Sequence, residues 1–260
     1  MNPRTQPIML ITGASRGIGA ATARLAAQRG WAVAVNYAAR ADAAQALVAE
    51  IQAGGGTAVA LQADVSVEAD VLRLFCSVDR ELGPVAALIN NAGVVDVSQP
   101  VADMSVERLT RMFGINVLGS FLCAREAVRR MSTRIGAARF GAGFGQGGSI
   151  VNVSSAAARL GSPGQYVDYA AAKAAIDTLT IGLAKEVGAE GIRVNAVRPG
   201  LIETEIHASG GLPDRVRDLA HLVPMQRGGT AEEVAESILW LASPQASYTT
   251  MALVDVSGGR

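Results

Sequence analysis

Tyr169 and Lys173, four residues apart in YAAAK, are side chains whose types and spacing could do chemistry together. On a helix, residues at that spacing lie one turn above each other on one face, so a phenol and an ammonium can meet. An unperturbed phenol releases its proton only at about pH 10, and a neighbouring cation favours the phenolate. The expectation is therefore that Lys173 lowers the pKa of Tyr169 and makes it a proton donor and acceptor near neutrality. Lysine is scarce here: Lys+Arg total 23, and only Lys173 and Lys185 are lysines. A compact ammonium can bond a sugar hydroxyl beside a phenol where a planar guanidinium would not fit in the same way. Taken alone, the pair also fits an aromatic side chain packed beside a solvated lysine.

The elements that must position this pair begin at Asn152, where a β-branched strand runs into a break at Gly161, Ser162, Pro163 and Gly164. An Ala-rich helix follows, from before Tyr169 to about Glu190. At the other end of the chain, an apolar strand from Ile8 to Thr12 enters GASRGIG, and a helix from Ile18 to Arg29 stops at Gly30. Gly13, Gly17 and Gly19 let the backbone turn tightly and approach a diphosphate, while the helix that follows points unpaired N–H groups at negative charge. The second strand, Ala32 to Asn36, ends at Asn36 and Tyr37 with no carboxylate to bind a ribose 2′-hydroxyl or to repel a 2′-phosphate. Arg16 in the glycine turn, with Arg40 nearby, is suited to that phosphate, so NADP(H) is favoured over NAD(H).

The alternation continues with helices over Ala41–Ala53 and Glu68–Leu82 and strands over Ala58–Gln62 and Ala86–Asn90. Strands separated by helices imply a single α/β domain spanning 1–260, a doubly wound parallel sheet of about seven strands with helices on both faces. Ligands of such sheets sit beyond the strand C-termini, where Gly13, Asp64, Gly93 and Ser155 all fall. A long helix is expected from Val106 to Arg130, with Asn116 midway, either exposed or bonded to something the site needs. Residues 135–148, IGAARFGAGFGQGG, read as a flexible surface loop, with Phe140 and Phe144 as a possible partner contact. A strand over Arg193–Arg198 precedes residues 201–229, a candidate lid over the same edge. His207 within it reads as a solvated loop residue or a substrate contact. A helix over Ala231–Ala242 and a strand over Ala252–Val256 complete the pattern.

Composition narrows the partners. Lys+Arg and Asp+Glu are both 23, so there is no basic excess for nucleic acid or an anionic membrane, and a small molecule is the expected ligand. Cys76 and Cys123 are isolated and read as small core residues in a reducing compartment. Neither His207 nor His221 has ligand spacing, so no metal site is expected. The N-terminal MNPRTQP is short and polar, and no apolar run reaches spanning length, which points to a cytoplasmic protein.

Together, TGASRGIG from Thr12, NNAG from Asn90, Asn116, VNVSS ending at Ser155, YAAAK from Tyr169 and RPG from Arg198 resemble the short-chain dehydrogenase/reductase family. The match runs over nearly the whole chain in order, and implies a Rossmann-type fold. By that resemblance, Ser155 would hydrogen-bond a substrate carbonyl oxygen and Tyr169 would protonate it, or deprotonate the alcohol in the reverse direction. Lys173 would hold the nicotinamide ribose and depress the pKa of Tyr169, and Asn116 would anchor a water linking Lys173 to solvent. Gly13, Ser15, Arg16 and Ile18 would surround the phosphates and ribose, Asp64 and Val65 the adenine, and Asn91, Ala92 and Gly93 the adenosine half. Pro199, Gly200, Ile202 and Thr204 would meet the nicotinamide.

The implied activity is that of an NADP(H)-dependent carbonyl reductase or alcohol dehydrogenase acting on a small molecule, assembled as a homotetramer or dimer. A 3-oxoacyl thioester reductase with a carrier-protein partner is the alternative within the class, and a catalytically silent dinucleotide sensor the alternative outside it. Two departures from the family pattern stand out: the Ser155-to-Tyr169 spacing is one residue long, and Met251 stands where glycine is usual.

Overall fold

A computed structural model describes residues 6–260 of the chain; the first residues of the polar MNPRTQP segment lie outside the described residues. Strands β1 (Ile8–Ile11), β2 (Ala32–Tyr37), β3 (Thr57–Gln62), β4 (Val85–Asn90), β5 (Gly148–Val153), β6 (Ile192–Pro199) and β7 (Leu253–Val256) form one sheet. Its order is β3-β2-β1-β4-β5-β6-β7, and every adjacent pair is parallel. The order reverses between β1 and β4, so a crevice opens there at the strand C-termini.

The strands read as near-continuous apolar runs because both sheet faces are covered. Met9, Ile11, Val33, Val35 and Ile89 pack on one side against helices α1 (Gly17–Gln28), α2 (Ala41–Ala53) and α11 (Ala231–Ala242). Their neighbours Leu10, Ala34, Leu88 and Ile150 pack on the other against α3 (Glu68–Glu81), α5 (Gly119–Met131) and α8 (Val167–Val187). The two-residue period of the strands thus assigns each side chain to one of two cores. Among the described residues, no helix is long and apolar enough to cross a membrane.

The helix expected over 106–130 forms without a break: α4 (Val106–Phe113) passes through a π-helical turn, Gly114–Leu118, into α5. Two other expectations are corrected. Residues 135–148 are not a structureless loop, because a short helix α6 (Gly136–Phe140) forms and its end is clamped. The Arg130 guanidinium lies 5.0 Å from the Phe75 ring centroid and 4.6 Å from that of Phe140, which in turn stacks on Phe144 at 5.3 Å. Of the two cysteines expected in the core, Cys123 is buried but Cys76 is exposed on α3.

The rest of the chain comprises α7 (Ala157–Leu160), α9 (Ile206–Ser209) and α10 (Arg215–Leu219). The last two lie within residues 201–229, whose ends are clasped together by a parallel bridge between Ile202 and Gly229. Met251, at the position where glycine is usual, takes φ +64°, a left-handed conformation that glycine adopts without strain. The bond from its N–H to Val194 O and regular β6–β7 pairing persist beyond it, so the substitution leaves the last strand in register.

Candidate active site

The glycine turn is fixed from both flanking strands. Thr12 Oγ1, at the end of β1, accepts from the N–H groups of Asn91 and Ala92, each at 3.0 Å, and Asn91 Nδ2 donates to Thr12 O and Gly13 O. From β2, Asn36 Oδ1 accepts from Gly13 N–H at 3.2 Å and Asn36 O from Ala14 N–H at 2.8 Å. The Asn36 amide also donates to the carbonyls of Leu61 and Ala63. Asn36 is buried and its amide is committed to protein partners, so it braces the turn instead of facing a ribose. Tyr37, likewise expected at the ribose, buries its side chain in the core beneath α1 and α2.

This bracing leaves no room for side chains. A Cβ at Gly13 would stand 2.8 Å from Ala92 Cα, and one at Gly19 2.5 Å from Asn91 Nδ2. Gly13 and Gly17 also hold φ of +60° and +52°, where L side chains are strained. No side chain caps the N-terminus of α1, and its first turn carries no acidic residue, so the end of this helix is suited to receive a diphosphate. Thr204 closes over it, its Cγ2 lying 3.3 Å from where a Gly17 Cβ would be. Ser15 is partly exposed and Arg16 exposed on the same turn, and Arg16 has no carboxylate partner among the described residues. Arg40 leans instead on Asp42, 3.4 Å away. Asp64 turns inward on itself, its Oδ1 accepting from the N–H and hydroxyl of Ser66. The Val65 side chain is buried against Gly119, where a Cβ would come within 2.6 Å of it.

Beyond the turn lies a cavity of about 480 Å³ at the C-terminal edge of the sheet. Ile18, Asn91, Gly93, Ser155, Tyr169, Lys173, Pro199, Gly200, Ile202 and Thr204 all line it. Two other hollows, of about 550 and 610 Å³, contain neither Tyr169 nor Lys173. Ser155 stands just past β5, and α8 presents Tyr169 and Lys173 on one face. Lys173 is almost wholly buried; its Nζ donates to Val153 O at 2.7 Å and lies 5.5 Å from the Tyr169 ring centroid. Asn116 is fully buried in the π-helical turn. Its Oδ1 accepts from Val94 N–H at 3.2 Å, and its Nδ2 donates to Val94 O and Met112 O at 3.0 Å. Gly93 sits between this amide and Lys173: a Cβ there would be 2.8 Å from Asn116 Oδ1 and 3.4 Å from Lys173 Nζ.

The electrostatics differ from the sequence expectation. Burial pushes the Tyr169 phenol up to about 12, with only the Ser155 hydroxyl pulling the other way. Burial also pushes Lys173 down to about 8, against the attraction of Asp177. In the polypeptide alone, then, Lys173 does not lower the pKa of Tyr169: its ammonium is turned to a carbonyl, and desolvation dominates both groups. Tyr169 is a neutral, protonated acid at physiological pH.

Of the other residues at the site, Arg108, Arg215 and Arg260 carry no local signal in the sequence, while His207 is the expected candidate for a substrate contact. Arg108 pairs with the buried Asp168 at 2.8 and 3.2 Å and donates to Val97 O and Gln99 Oε1, tying residues 97–99 to the first turn of α8. His207 lines the cavity, with Nε2 3.0 Å from Ile202 O, and burial lowers its pKa. Arg215 and Arg260 line it too, although they are far from every motif in sequence.

A braced glycine turn at a helix N-terminus, opening onto a cavity that holds a tyrosine and a buried lysine, defines a dinucleotide-binding oxidoreductase. A family model described as enoyl-(acyl carrier protein) reductase matches residues 13–260, and the chain belongs to the short-chain dehydrogenase/reductase family. It is 54% identical over 253 residues to the uncharacterized oxidoreductase YgfF of Escherichia coli K12, covering 97% of this chain and 99% of that protein. Among solved structures, it is similar to a blue fluorescent protein from a metagenomic library in complex with NADPH, with TM-score 0.86, 32% identity and 97% of each chain covered. It is equally similar to a 3-ketoacyl-(acyl-carrier-protein) reductase of Brucella melitensis complexed with NADH, with TM-score 0.87, 32% identity and 98% of each chain covered.

Proposed function

We propose that the protein transfers a hydride between NADP(H) and a carbonyl or secondary alcohol, with Tyr169 as the proton donor and acceptor. The observation that carries this reading is the placement of Tyr169, Lys173 and Ser155 around one cavity that continues from the glycine turn. When bound, the dinucleotide supplies the hydride; the residues do the rest. Gly13, Ser15, Arg16, Gly17, Ile18 and Gly19 would hold its phosphates, and Asp64, Val65, Asn91, Ala92 and Gly93 the adenosine half. Pro199, Gly200, Ile202 and Thr204 would hold the nicotinamide end.

Lys173 would trade its bond to Val153 O for ribose hydroxyls, bringing its charge toward the phenol and making proton transfer at the Tyr169 hydroxyl easier in both directions. Ser155 would orient the substrate oxygen. Asn116, locked to Val94, would fix the strand end that carries Gly93 and anchor a water beside Lys173. Residues 201–229, clasped at Ile202 and Gly229, would act as a lid. The preference for NADP(H) rests on the exposed, unpaired Arg16 and on the absence of a carboxylate at the end of β2. The acyl-thioester substrate named for the Brucella neighbour is the second reading.

We also infer a homo-oligomer, from the apolar side chains that α4 and α5 leave exposed. A panel of carbonyls with NADPH and NADH tests the activity. Arg16→Ala should weaken NADPH binding by about tenfold or more while leaving NADH nearly unchanged, as loss of a charge-assisted phosphate contact requires. An equal effect on both would contradict the 2′-phosphate assignment.

A further inference from the structure

Two guanidiniums, those of Arg215 and Arg260, line the cavity without an Asp or Glu partner among the described residues. Most arginines of this chain are paired with a carboxylate within 4 Å, including Arg108, Arg159, Arg198 and Arg217 close by. Arg215 and Arg260 have no such partner among the described residues, and no Asp or Glu lines the cavity. The carboxylates beside Arg215 are engaged elsewhere: Asp214 and Asp218 both pair with Arg217.

Arg215 is held in place by its guanidinium packing 5.2 Å from the centroid of Tyr166, whose hydroxyl is fixed on Gly210 O. Arg260, the last residue of the sequence, is held by its main-chain oxygen, which accepts from Ser257 Oγ and from Arg159. Burial is the larger cause that lowers the Arg260 pKa, and the charge of Arg215 adds to it. Placing like charges together without a counter-ion is unfavourable unless an anion comes between them.

We propose that the substrate carries an oxyanion, a carboxylate or a phosphate, which Arg215 and Arg260 bind at the end of the cavity away from the glycine turn. This rests on the reading of the cavity as the substrate site. The dinucleotide's own phosphates would have their cradle at Gly13–Gly19, whereas Arg215 sits on Tyr166, beside the segment that Gly210 packs against Val95. Planar guanidiniums match carboxylate and phosphate oxygens in bidentate fashion.

The test uses three probes with the same aryl methyl ketone: para-acetylbenzoate, its methyl ester, and para-acetylphenyl phosphate. Calorimetric titration of the full chain, with and without NADP, should show one of the anions binding at least about tenfold tighter than the ester, as charge-assisted hydrogen bonds require. Which anion it is distinguishes carboxylate from phosphate. In Arg215→Gln and Arg260→Gln the anion-to-ester ratio should collapse toward one, while NADPH affinity holds. Equal binding of all three probes, or a loss of NADPH affinity as large as that of the anion, overturns the proposal. Turnover with NADPH is read separately. Tight, arginine-dependent anion binding without reduction of any ketone would leave the anion site standing and remove the carbonyl reductase reading.

Discussion

Tyr169 and Lys173 show how a single side chain's environment sets its chemistry. Spacing in the sequence put them on one face, and the structure agrees. What spacing could not show is that Lys173 turns to Val153 O and that desolvation dominates both groups. A pH profile follows. Lys173, pushed down to about 8, carries its charge below that pH and loses it above, while Tyr169, pushed up to about 12, stays protonated throughout. The kcat/KM for NADPH, which reports the free enzyme, should hold from neutral pH and fall as pH rises through about 8. In Lys173→Met that inflection should vanish with most of the activity; a wild-type profile flat through alkaline pH would count against the assignment.

Arg108 and Asp168 form a buried pair beside the site, with side-chain exposures of 7% and 0%. Arg108→Met strands a buried carboxylate and should destabilise the fold by about 3–5 kcal/mol in urea denaturation. Replacing both partners with apolar residues should recover much of that loss, and a single variant as stable as the wild type would refute the pairing.

At the scale of elements, the sheet and its flanking helices were legible because both signals are local. Apolar runs of strand length, glycine stops and a repeating strand–helix order place β1 to β4, β6 and β7 within a residue, while β5 begins four residues before Asn152, at Gly148. The glycine turn was legible for the same reason. The π-helical turn at Gly114–Leu118 was not, because one extra residue in a helix has no compositional mark and the apolar pattern passes through it. It matters to the site, since it is where Asn116 meets Val94. Residues 135–148 were misread because their order comes from Arg130 lying between Phe75 and Phe140, a contact between segments far apart in the chain. Asn36 was misplaced for a similar reason: the end of β2 is where a ribose contact is expected, but its amide was needed to hold Gly13. Arg215 and Arg260 could be joined only by the fold.

On the scale of the whole molecule, the surface is uneven. Val106, Phe113, Leu118 and Phe121 are exposed at 72%, 40%, 49% and 48% along α4, the π-helical turn and α5. Exposed apolar side chains of this kind are what the inferred homo-oligomer would cover. Light scattering should find a dimer or tetramer, and Phe121→Glu should shift it toward smaller species; a monomeric wild type would contradict the inference.

The most direct measurement is made on Tyr169→Phe, which removes one hydroxyl and leaves the ring in place. If that hydroxyl moves the proton, turnover of the best carbonyl substrate with NADPH should fall by about 10²–10⁴-fold, the range for general acid catalysis, while NADPH binds as before. Undiminished turnover in this variant would contradict the account at its centre.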